Sequence, residues 1–442
     1  MLLSLLLCFL RGGTTSSAVP SEWESYHDHD ALVDKLQEIV QECPQISTLY
    51  SIGRSVLGRE LVVIQFSTTP SEHVALKPEV KYIGNIHGNE PLGRELLIRL
   101  ADYLCDAANK KDKEVLQLLN STSIHILPTM NPDGFNVALN THDVACFFRD
   151  FPELDEVFYE LEKLKVPRFD HLMDLFVDNK ERQPETVAVG RWTLSLPFVL
   201  SASLHEGDLV ANYPFDSAAE KGVNAYSASP DDGTFRWLAQ TYAKNHAHMA
   251  KNDHPPCDGT SEDAFARQGG ITNGAKWYSV SGGMQDFNYL GTNAMEITLE
   301  LSCEKMPEGK LLPQFWNDNK KALMEYMFAV HSGIKGLITN AVTGEPISEA
   351  VVWIRNGTDP MPIRHPVTSW LLGDYYRILP VGQYEVIVNA EGYKPAARNV
   401  TVTNKVRDSA MTVDFVLEPI AQEQPTDVEI AQLVDALQQQ EE

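Results

Sequence analysis

The chain has 442 residues and a mass of 49.4 kDa, which predicts a large domain accompanied by a smaller one. It contains 36 Lys and Arg residues against 61 Asp and Glu residues, so its formal net charge is −25. A surface this acidic repels nucleic acid and favours cationic ligands, so nucleic acid is not an expected partner. Hydrophobic residues make up 43% and charged residues 22%, which is typical of a soluble globular protein.

The first residues have the pattern of a secretory signal peptide, because an apolar run at 2–10 is followed by small residues at 16–18. About nine apolar residues are too few for a transmembrane helix. We therefore predict a signal peptide at residues 1–20 and a protein of the secretory pathway, either extracellular or held in secretory granules. An atypical buried N-terminal segment is the alternative interpretation, since no Lys or Arg precedes the apolar run.

Cysteine usage and glycosylation motifs agree with secretion. Five cysteines remain after the predicted signal peptide, which predicts two disulfides and one unpaired thiol in an oxidising compartment. The sequence alone leaves their pairing open. The five cysteines are Cys43, Cys105, Cys146, Cys257 and Cys303. N-glycosylation sequons begin at Asn120, Asn356 and Asn399.

Helical and strand patterns alternate through residues 21–332. The segment 28–43 places its apolar residues on one helical face, and short apolar runs separated by a second amphipathic helix follow. We expect strands at 60–66, 79–86 and 122–129 and a helix at 92–105. This alternation predicts an α/β domain whose mixed, mostly parallel sheet is flanked by helices.

The pattern changes after this region. Residues 333–418 contain short β-type runs separated by turn residues, which predicts a small antiparallel β-sandwich. They contain no cluster of catalytic residue types, so we expect an accessory domain. Residues 419–442 form a Pro- and Gln-containing linker and a tail with apolar residues at helical spacing. That spacing is typical of a helix that contacts a membrane surface or a partner, and equally of a solvated tail.

A candidate metal site follows two of the predicted strands. His87 and Glu90 come directly after the apolar run that begins at residue 79, and His205 ends another run at 198–205. Ligand sites in α/β sheets lie beyond the carboxyl ends of strands. A catalytic zinc ion takes three N or O ligands from the protein and keeps one position open for water. The His-x-x-Glu motif alone is a weak signal and more often marks a surface hydrogen-bonded pair. The two strand-end histidines with Glu90 nevertheless predict a Zn²⁺ site.

A carboxylate suited to proton transfer lies in a further apolar run, at 294–304. Glu300 is flanked there by Leu299 and Leu301, and a carboxylate in such a run is costly unless it has partners. Zinc-assisted hydrolysis needs a group that accepts the proton of water and passes it to the leaving group. We therefore predict that Glu300 is that group.

Several motifs, in order, resemble the zinc metallocarboxypeptidases of the carboxypeptidase N/E regulatory group. The similarity covers residues 22–418 and rests on HGNEPLGRELL, NPDGF, DLVANYPFD, WYSVSGGMQDFNYL and EITLELSCEK. It implies a metallocarboxypeptidase fold followed by a transthyretin-like β-sandwich. It also implies removal of C-terminal Lys or Arg from peptides or prohormone intermediates.

The resemblance carries roles onto individual residues. It implies zinc ligands at His87, Glu90 and His205 and a general base and acid at Glu300. It implies that Tyr278 closes over the terminal carboxylate of the substrate. Two further residues, Asp216 and Gln285, match the floor of the pocket that holds the final basic side chain, where an enclosed carboxylate selects a Lys or Arg head group.

The chain departs from the family pattern in the segment 135–151, which is visibly shorter. We match Arg149 to the arginine that grips the terminal carboxylate, but Phe148 replaces the neighbouring asparagine and the oxyanion arginine has no counterpart. Losing one oxyanion donor typically costs about 10²–10³ in turnover. The alternative to an active enzyme is therefore a catalytically impaired relative that contains zinc and acts as a peptide-binding or sorting module. A smaller departure is Glu206, where the group usually has a second glycine.

Overall fold

The computed structural model describes residues 21–141, 150–154, 182–220, 222–261, 264–407 and 409–420. These residues form an α/β unit followed by an all-β unit, as the sequence predicts. The predicted signal peptide, Arg149, Cys146 and the predicted tail helix lie outside the described residues.

The α/β unit is built on one eight-stranded mixed sheet with the strand order β1-β2-β4-β3-β5-β8-β6-β7. The central strands β4, β3, β5 and β8 are parallel, whereas β2 pairs antiparallel with β4, β6 with β8, and the edge strand β1 with β2. The predicted mixed, mostly parallel sheet is therefore confirmed. The strands are β1 (Ser47–Arg54), β2 (Glu60–Phe66), β3 (Glu79–Gly84), β4 (Ser123–Leu127), β5 (Phe198–His205), β6 (Leu209–Tyr213), β7 (Ile271–Asn273) and β8 (Met295–Leu301).

Helices pack against this sheet. The first of them begins after Asp28, whose side chain accepts a hydrogen bond from the amide of Ala31, and it buries Leu32, Leu36 and Ile39 at helical spacing. Burial of each such side chain contributes about 1.5–3 kcal/mol. The α-helices of the described residues are α1 (His29–Glu42), α2 (Leu92–Asn109), α3 (Lys113–Ser121), α4 (Pro132–Thr141), α5 (Pro184–Ser195), α6 (Asp232–Asn245), α7 (Gly274–Trp277), α8 (Met284–Gly291) and α9 (Leu312–Phe328).

Strand register brings the predicted site residues to one edge of the sheet. Gly84, the last residue of β3, pairs with Leu204 of β5, and His205 pairs with Glu300 of β8. Because these three strands are parallel, their carboxyl ends lie side by side. The loop after β3, which contains His87, therefore starts next to His205.

Two disulfides lie in the described part of the chain, as the cysteine count predicts. Cys43 at the end of α1 bonds to Cys105 in α2. Cys257 bonds to Cys303, two residues after β8. The second bond fixes the segment that follows the strand carrying Glu300.

The all-β unit is a sandwich of two sheets around its own apolar core. One sheet has the order β11-β10-β13-β14, and the other has β12-β9-β15 with β16 also paired to β9. The predicted all-β sandwich is confirmed, but it is not wholly antiparallel, because β15 and β16 run parallel to β9. The strands are β9 (Ile334–Asn340), β10 (Val351–Asn356), β11 (Val367–Thr368), β12 (Asp374–Arg377), β13 (Gly382–Asn389), β14 (Ala396–Val402), β15 (Met411–Thr412) and β16 (Phe415–Leu417).

A buried ion pair and a partly buried histidine–carboxylate contact join the two units. Nη2 of Arg377 lies 2.7 Å from Oδ1 of Asp231, and Nε2 of His73 lies 2.9 Å from Oδ2 of Asp374. Removing one member of a buried ion pair leaves an uncompensated charge, which is strongly destabilising. The β-sandwich is thus tied to the α/β unit by specific contacts. Within the ranges described above, no helix is long and apolar enough to cross a membrane.

Candidate active site

The loop after β3 is shaped by Asn85, which has a positive φ of 54°. Its amide nitrogen Nδ2 donates to the carbonyl oxygens of His87, Gly88 and Glu90 at 2.9, 3.2 and 3.3 Å. Its Oδ1 accepts a hydrogen bond of 2.8 Å from the hydroxyl of Thr129. Asn tolerates the left-handed region better than most residues, which explains its place at this turn. The loop that presents His87 and Glu90 is therefore held by one buried side chain.

His87, Glu90 and His205 form a compact cluster. Nδ1 of His87 lies 2.8 Å and Nδ1 of His205 lies 2.9 Å from the same oxygen, Oε2 of Glu90. One ligand atom from each residue lies within 4.8 Å of the others, and no other group of this kind occurs in the described part of the chain. Two imidazole nitrogens and a carboxylate oxygen are a donor set that zinc prefers. The residues present therefore fit a zinc ion.

The surroundings of His87 and Glu90 favour the protonation states that a metal ion requires. Burial lowers the pKa of His87, which favours the neutral imidazole that a metal requires. Burial alone would raise the pKa of Glu90, but hydrogen bonds from His205 and His87 hold it well below its usual range. For His205, burial acts to lower the pKa, yet contact with Glu90 raises it overall. Zinc binding requires the neutral imidazole, so at His205 it competes with protonation.

Glu300 lies beside this cluster through its pairing with His205. It is 6% exposed, and its Oε2 atom has no hydrogen-bond partner among the described residues. Burial raises the pKa of Glu300 to about 8, although the charge of His205 opposes this rise and that of Glu90 adds to it. A buried carboxylate oxygen without a partner is costly, so its place next to a metal-binding cluster indicates a functional role.

One cavity connects the two histidines of the cluster to three of the predicted substrate-binding residues. Its lining includes His87, His205, Asp216, Tyr278, Gln285 and Glu300, together with further polar and apolar residues. Tyr278 lines this cavity and is 40% exposed.

The cavity has a floor rich in hydrogen-bond acceptors. Oδ1 of Asp216 accepts hydrogen bonds from Nε2 of Gln285 at 2.8 Å and from Nδ2 of Asn212 at 3.1 Å. The amide oxygens Oε1 of Gln285 and Oδ1 of Asn212 are buried and have no partner in the part of the chain that the structure describes. Both amides thus direct their donors at Asp216 and keep an acceptor available. A ligand with several donors would satisfy this floor.

Backbone contacts fix the position of Asp216. The carboxylate of Asp286, near the start of α8, accepts hydrogen bonds from the amides of Asp216 at 2.9 Å and Ser217 at 3.2 Å. A Cβ atom on Gly274 would lie 2.0 Å from Oδ1 of Asp216 and 2.9 Å from Oδ1 of Asn212. Glycine at this position therefore keeps the floor open.

The predicted site residues that fall within the described ranges all lie in or beside the cluster and its cavity. They are His87, Glu90, His205, Asp216, Tyr278, Gln285 and Glu300. Arg149 and the neighbouring Phe148 lie outside the described residues. Sequence reasoning missed Asn85, Asn212 and Lys305, which contacts Glu90. Asn85 could have been identified because it is a polar residue at the end of a predicted strand. Asn212 could have been identified because it lies in the DLVANYPFD motif that contains Asp216. No local pattern distinguishes Lys305 from other surface lysines.

Two family models match the chain. Residues 32–322 match the zinc carboxypeptidase family, and residues 333–418 match the carboxypeptidase regulatory-like domain. The chain therefore belongs to the zinc carboxypeptidase family. It is a metallocarboxypeptidase, and zinc is its cofactor.

Individual relatives agree with this assignment. The chain is 66% identical over 435 residues to Carboxypeptidase E of Caenorhabditis elegans, covering 94% of this chain and 92% of that protein. It is 41% identical over 413 residues to Carboxypeptidase Z of Mus musculus, covering 90% of this chain but only 61% of that longer protein. The crystal structure of carboxypeptidase A from Helicoverpa armigera matches with a TM-score of 0.52 at 15% identity, over 69% of this chain and 73% of that chain, which shows a shared fold.

Proposed function

We propose that the protein removes C-terminal Lys or Arg residues from peptides, such as the basic ends left on prohormone intermediates. The proposal assigns zinc to His87, Glu90 and His205 and the role of general base and acid to Glu300. The observation that carries it is the acidic, acceptor-rich floor around Asp216 in the same cavity as the metal cluster and Glu300.

The chemistry of this floor matches a basic side chain. A guanidinium group has five N–H donors and an ammonium group has three, and neither has an acceptor. The carboxylate of Asp216 and the unpartnered oxygens of Gln285 and Asn212 supply complementary acceptors. A net charge of −25 also favours the approach of cationic peptides. Tyr278 at the mouth of the cavity and Arg149 are assigned to the terminal carboxylate of the substrate.

Proton transfer is assigned to the unpartnered oxygen of Glu300. Zinc, when bound, polarises the scissile carbonyl and makes bound water more acidic. Oε2 of Glu300 accepts a proton from the attacking water and returns it to the leaving amine nitrogen. Burial raises the pKa of Glu300, and a zinc ion bound beside it would act in the opposite direction by favouring the ionised form that accepts a proton. The buried position of Glu300 limits competition from bulk solvent.

The proposal also includes secretion, a division of the chain into four parts, and contact of the C-terminal tail with a membrane surface. Two disulfides in the described residues support an oxidising compartment, where such bonds persist. The proposed division has a signal peptide at 1–20, a catalytic domain at 21–332, a β-sandwich at 333–418 and a linker with an amphipathic tail at 419–442. The matched family ranges fall within the two central parts of this division.

The test is turnover with a matched pair of peptides. The purified zinc-loaded protein is incubated with a short peptide ending in Arg and with the same peptide ending in Leu, and released amino acid is quantified. We expect arginine release, and a Glu300→Gln variant should reduce it by about 10²–10⁴-fold while retaining zinc. Asp216→Asn should reduce the preference for Arg by about 10- to 100-fold, since it removes a charged hydrogen-bond partner.

The outcomes separate the two functions that the sequence leaves open. No release above that of Glu300→Gln would overturn the proposed activity. Tight binding of the Arg-ending peptide without release would instead support a peptide-binding role, as the shortened segment 135–151 suggests. Equal binding of both peptides would overturn the assignment of Asp216.

A further inference from the structure

Lys305 contacts the carboxylate at the centre of the metal cluster. Its Nζ lies 2.7 Å from Oε1 of Glu90, whereas the other oxygen, Oε2, faces the two imidazoles. Glu90 itself is only 2% exposed. The two carboxylate oxygens therefore have different roles, one toward the metal ligands and one toward a cation.

The loop carrying Lys305 is anchored to the chain after His205. The amide of Gly207 donates to the carbonyl oxygen of Ser302 at 2.8 Å, and the disulfide at Cys303 holds the same loop. A Cβ atom on Gly207 would lie 3.3 Å from Cε of Lys305, so the lysine side chain passes close to this glycine. These contacts hold the backbone of the loop near Glu90, while the Lys305 side chain remains 39% exposed.

Glu206 links the surroundings of Lys305 with those of Glu90. Its Oε2 accepts a hydrogen bond of 3.0 Å from the amide of Met306, the neighbour of Lys305. Its Oε1 accepts from the amide of Leu92, the first residue of α2 and two residues beyond Glu90. The residue that departs from the family glycine thus joins the two segments through both of its carboxylate oxygens.

A charge-assisted hydrogen bond to a ligating carboxylate controls its orientation. Such bonds are short and directional, and outer partners of metal ligands typically contribute 10- to 100-fold to metal affinity or activity. Without the ammonium group, Oε1 of Glu90 would lose a charged partner inside a buried site. The carboxylate could then rotate away from the orientation in which Oε2 meets both imidazoles.

We propose that Lys305 is a positioning residue that orients the carboxylate of Glu90 for zinc binding. The inference rests on the proposed metal site and deepens it, because it adds a residue outside the ligand set. It predicts an effect on zinc affinity, and not only on turnover.

The experiment measures the zinc dissociation constant by competition with a chromophoric chelator, using the full chain. Lys305→Met should raise that constant by about 10- to 100-fold, whereas Lys305→Arg should restore most of the affinity. The thermal midpoint of the metal-free Lys305→Met protein should stay close to that of the parent. Lys310→Met is the matched control, because Lys310 is an exposed lysine near the same loop and forms an ion pair with the exposed Glu308, away from the metal cluster.

Each outcome has a definite meaning. An unchanged dissociation constant in Lys305→Met, or equal constants for the Met and Arg variants, would overturn the inference. If Lys305→Met does not fold, Lys305→Gln replaces it, with the same comparison to Lys305→Arg. Glu90→Gln tests the metal site separately from the role of Lys305. Zinc retained in that variant would overturn the metal site itself. Zinc lost there but unaffected in Lys305→Met would overturn only the role of Lys305.

Discussion

Two glutamates near opposite ends of β3 each contact a pair of imidazoles, with different results. Beyond the carboxyl end of the strand, Glu90 receives both imidazoles on one oxygen, Oε2. At the first residue of the strand, Glu79 receives His73 on Oε1 at 2.9 Å and His125 on Oε2 at 2.8 Å. The two sites thus combine the same residue types in different geometries.

The remaining nitrogens of the second pair are also occupied. Nε2 of His73 contacts Oδ2 of Asp374 at 2.9 Å, and Nδ1 of His125 contacts the hydroxyl of Tyr50 at 2.6 Å. This group therefore has no shared point for an ion, and it connects the α/β unit to the β-sandwich. In a metal site the ligand atoms point their lone pairs at one common position, whereas in a structural network each atom faces a different partner. The same residue types can form either arrangement.

The largest expected effect is on zinc content. His205→Gln should reduce bound zinc from one equivalent to below about one tenth, because a catalytic site needs its three protein ligands. His125→Gln, the matched change in the network around Glu79, should leave zinc at one equivalent. Metal analysis of both purified proteins after dialysis provides the measurement. Zinc lost equally from both variants would mean that the two sites do not differ as described.

A smaller effect is expected on stability when Glu79 is neutralised. Burial alone would raise the pKa of Glu79, but hydrogen bonds from His125 and His73 lower it to about 2, so both imidazoles interact with an ionised carboxylate. Glu79→Gln should therefore cost about 1–3 kcal/mol, since buried polar groups lose partners. The thermal midpoint should fall by several degrees with zinc content unchanged.

The control for that change is Glu385→Gln, which breaks a partly exposed pair with Arg355. Such pairs contribute about 0–1 kcal/mol, so the thermal midpoint should hardly move. A drop as large as that of Glu79→Gln would argue that charge alone, and not burial, determines the loss.

The sequence predicts the buried strands and the strand-end ligands because both are local patterns. The strand at 60–66 agrees with the prediction, whereas β3 ends two residues earlier than predicted because Asn85 adopts a positive φ and turns the chain. The network around Glu79 could not be predicted. His73 and Asp374 are 301 residues apart in the chain, and only folding brings them together.

The same contrast between local and tertiary signals holds at the candidate site. His87 and His205 share a recognisable position at strand ends, so their meeting at one edge of the sheet is predictable from the sequence alone. Lys305 contacts Glu90 across 215 residues and depends on a loop held by Gly207 and Ser302. Its role follows from tertiary contacts that leave no periodic signal.

The smallest predicted effect is a pH dependence of stability that arises from His73. Burial alone would lower its pKa, but hydrogen bonds to Asp374 and Glu79 outweigh this and raise the pKa to about 9. An unfolded imidazole has a pKa of about 6.5, so the protonated contact stabilises the fold fully below that pH and loses its effect as the pH rises through about 9. The thermal midpoint of the parent should fall by about 2–4 °C more than that of His73→Gln between pH 6.5 and 9.5. Parallel curves for the two proteins would show that His73 does not bind a proton on folding, and its contact with Asp374 would then not depend on a charged imidazole.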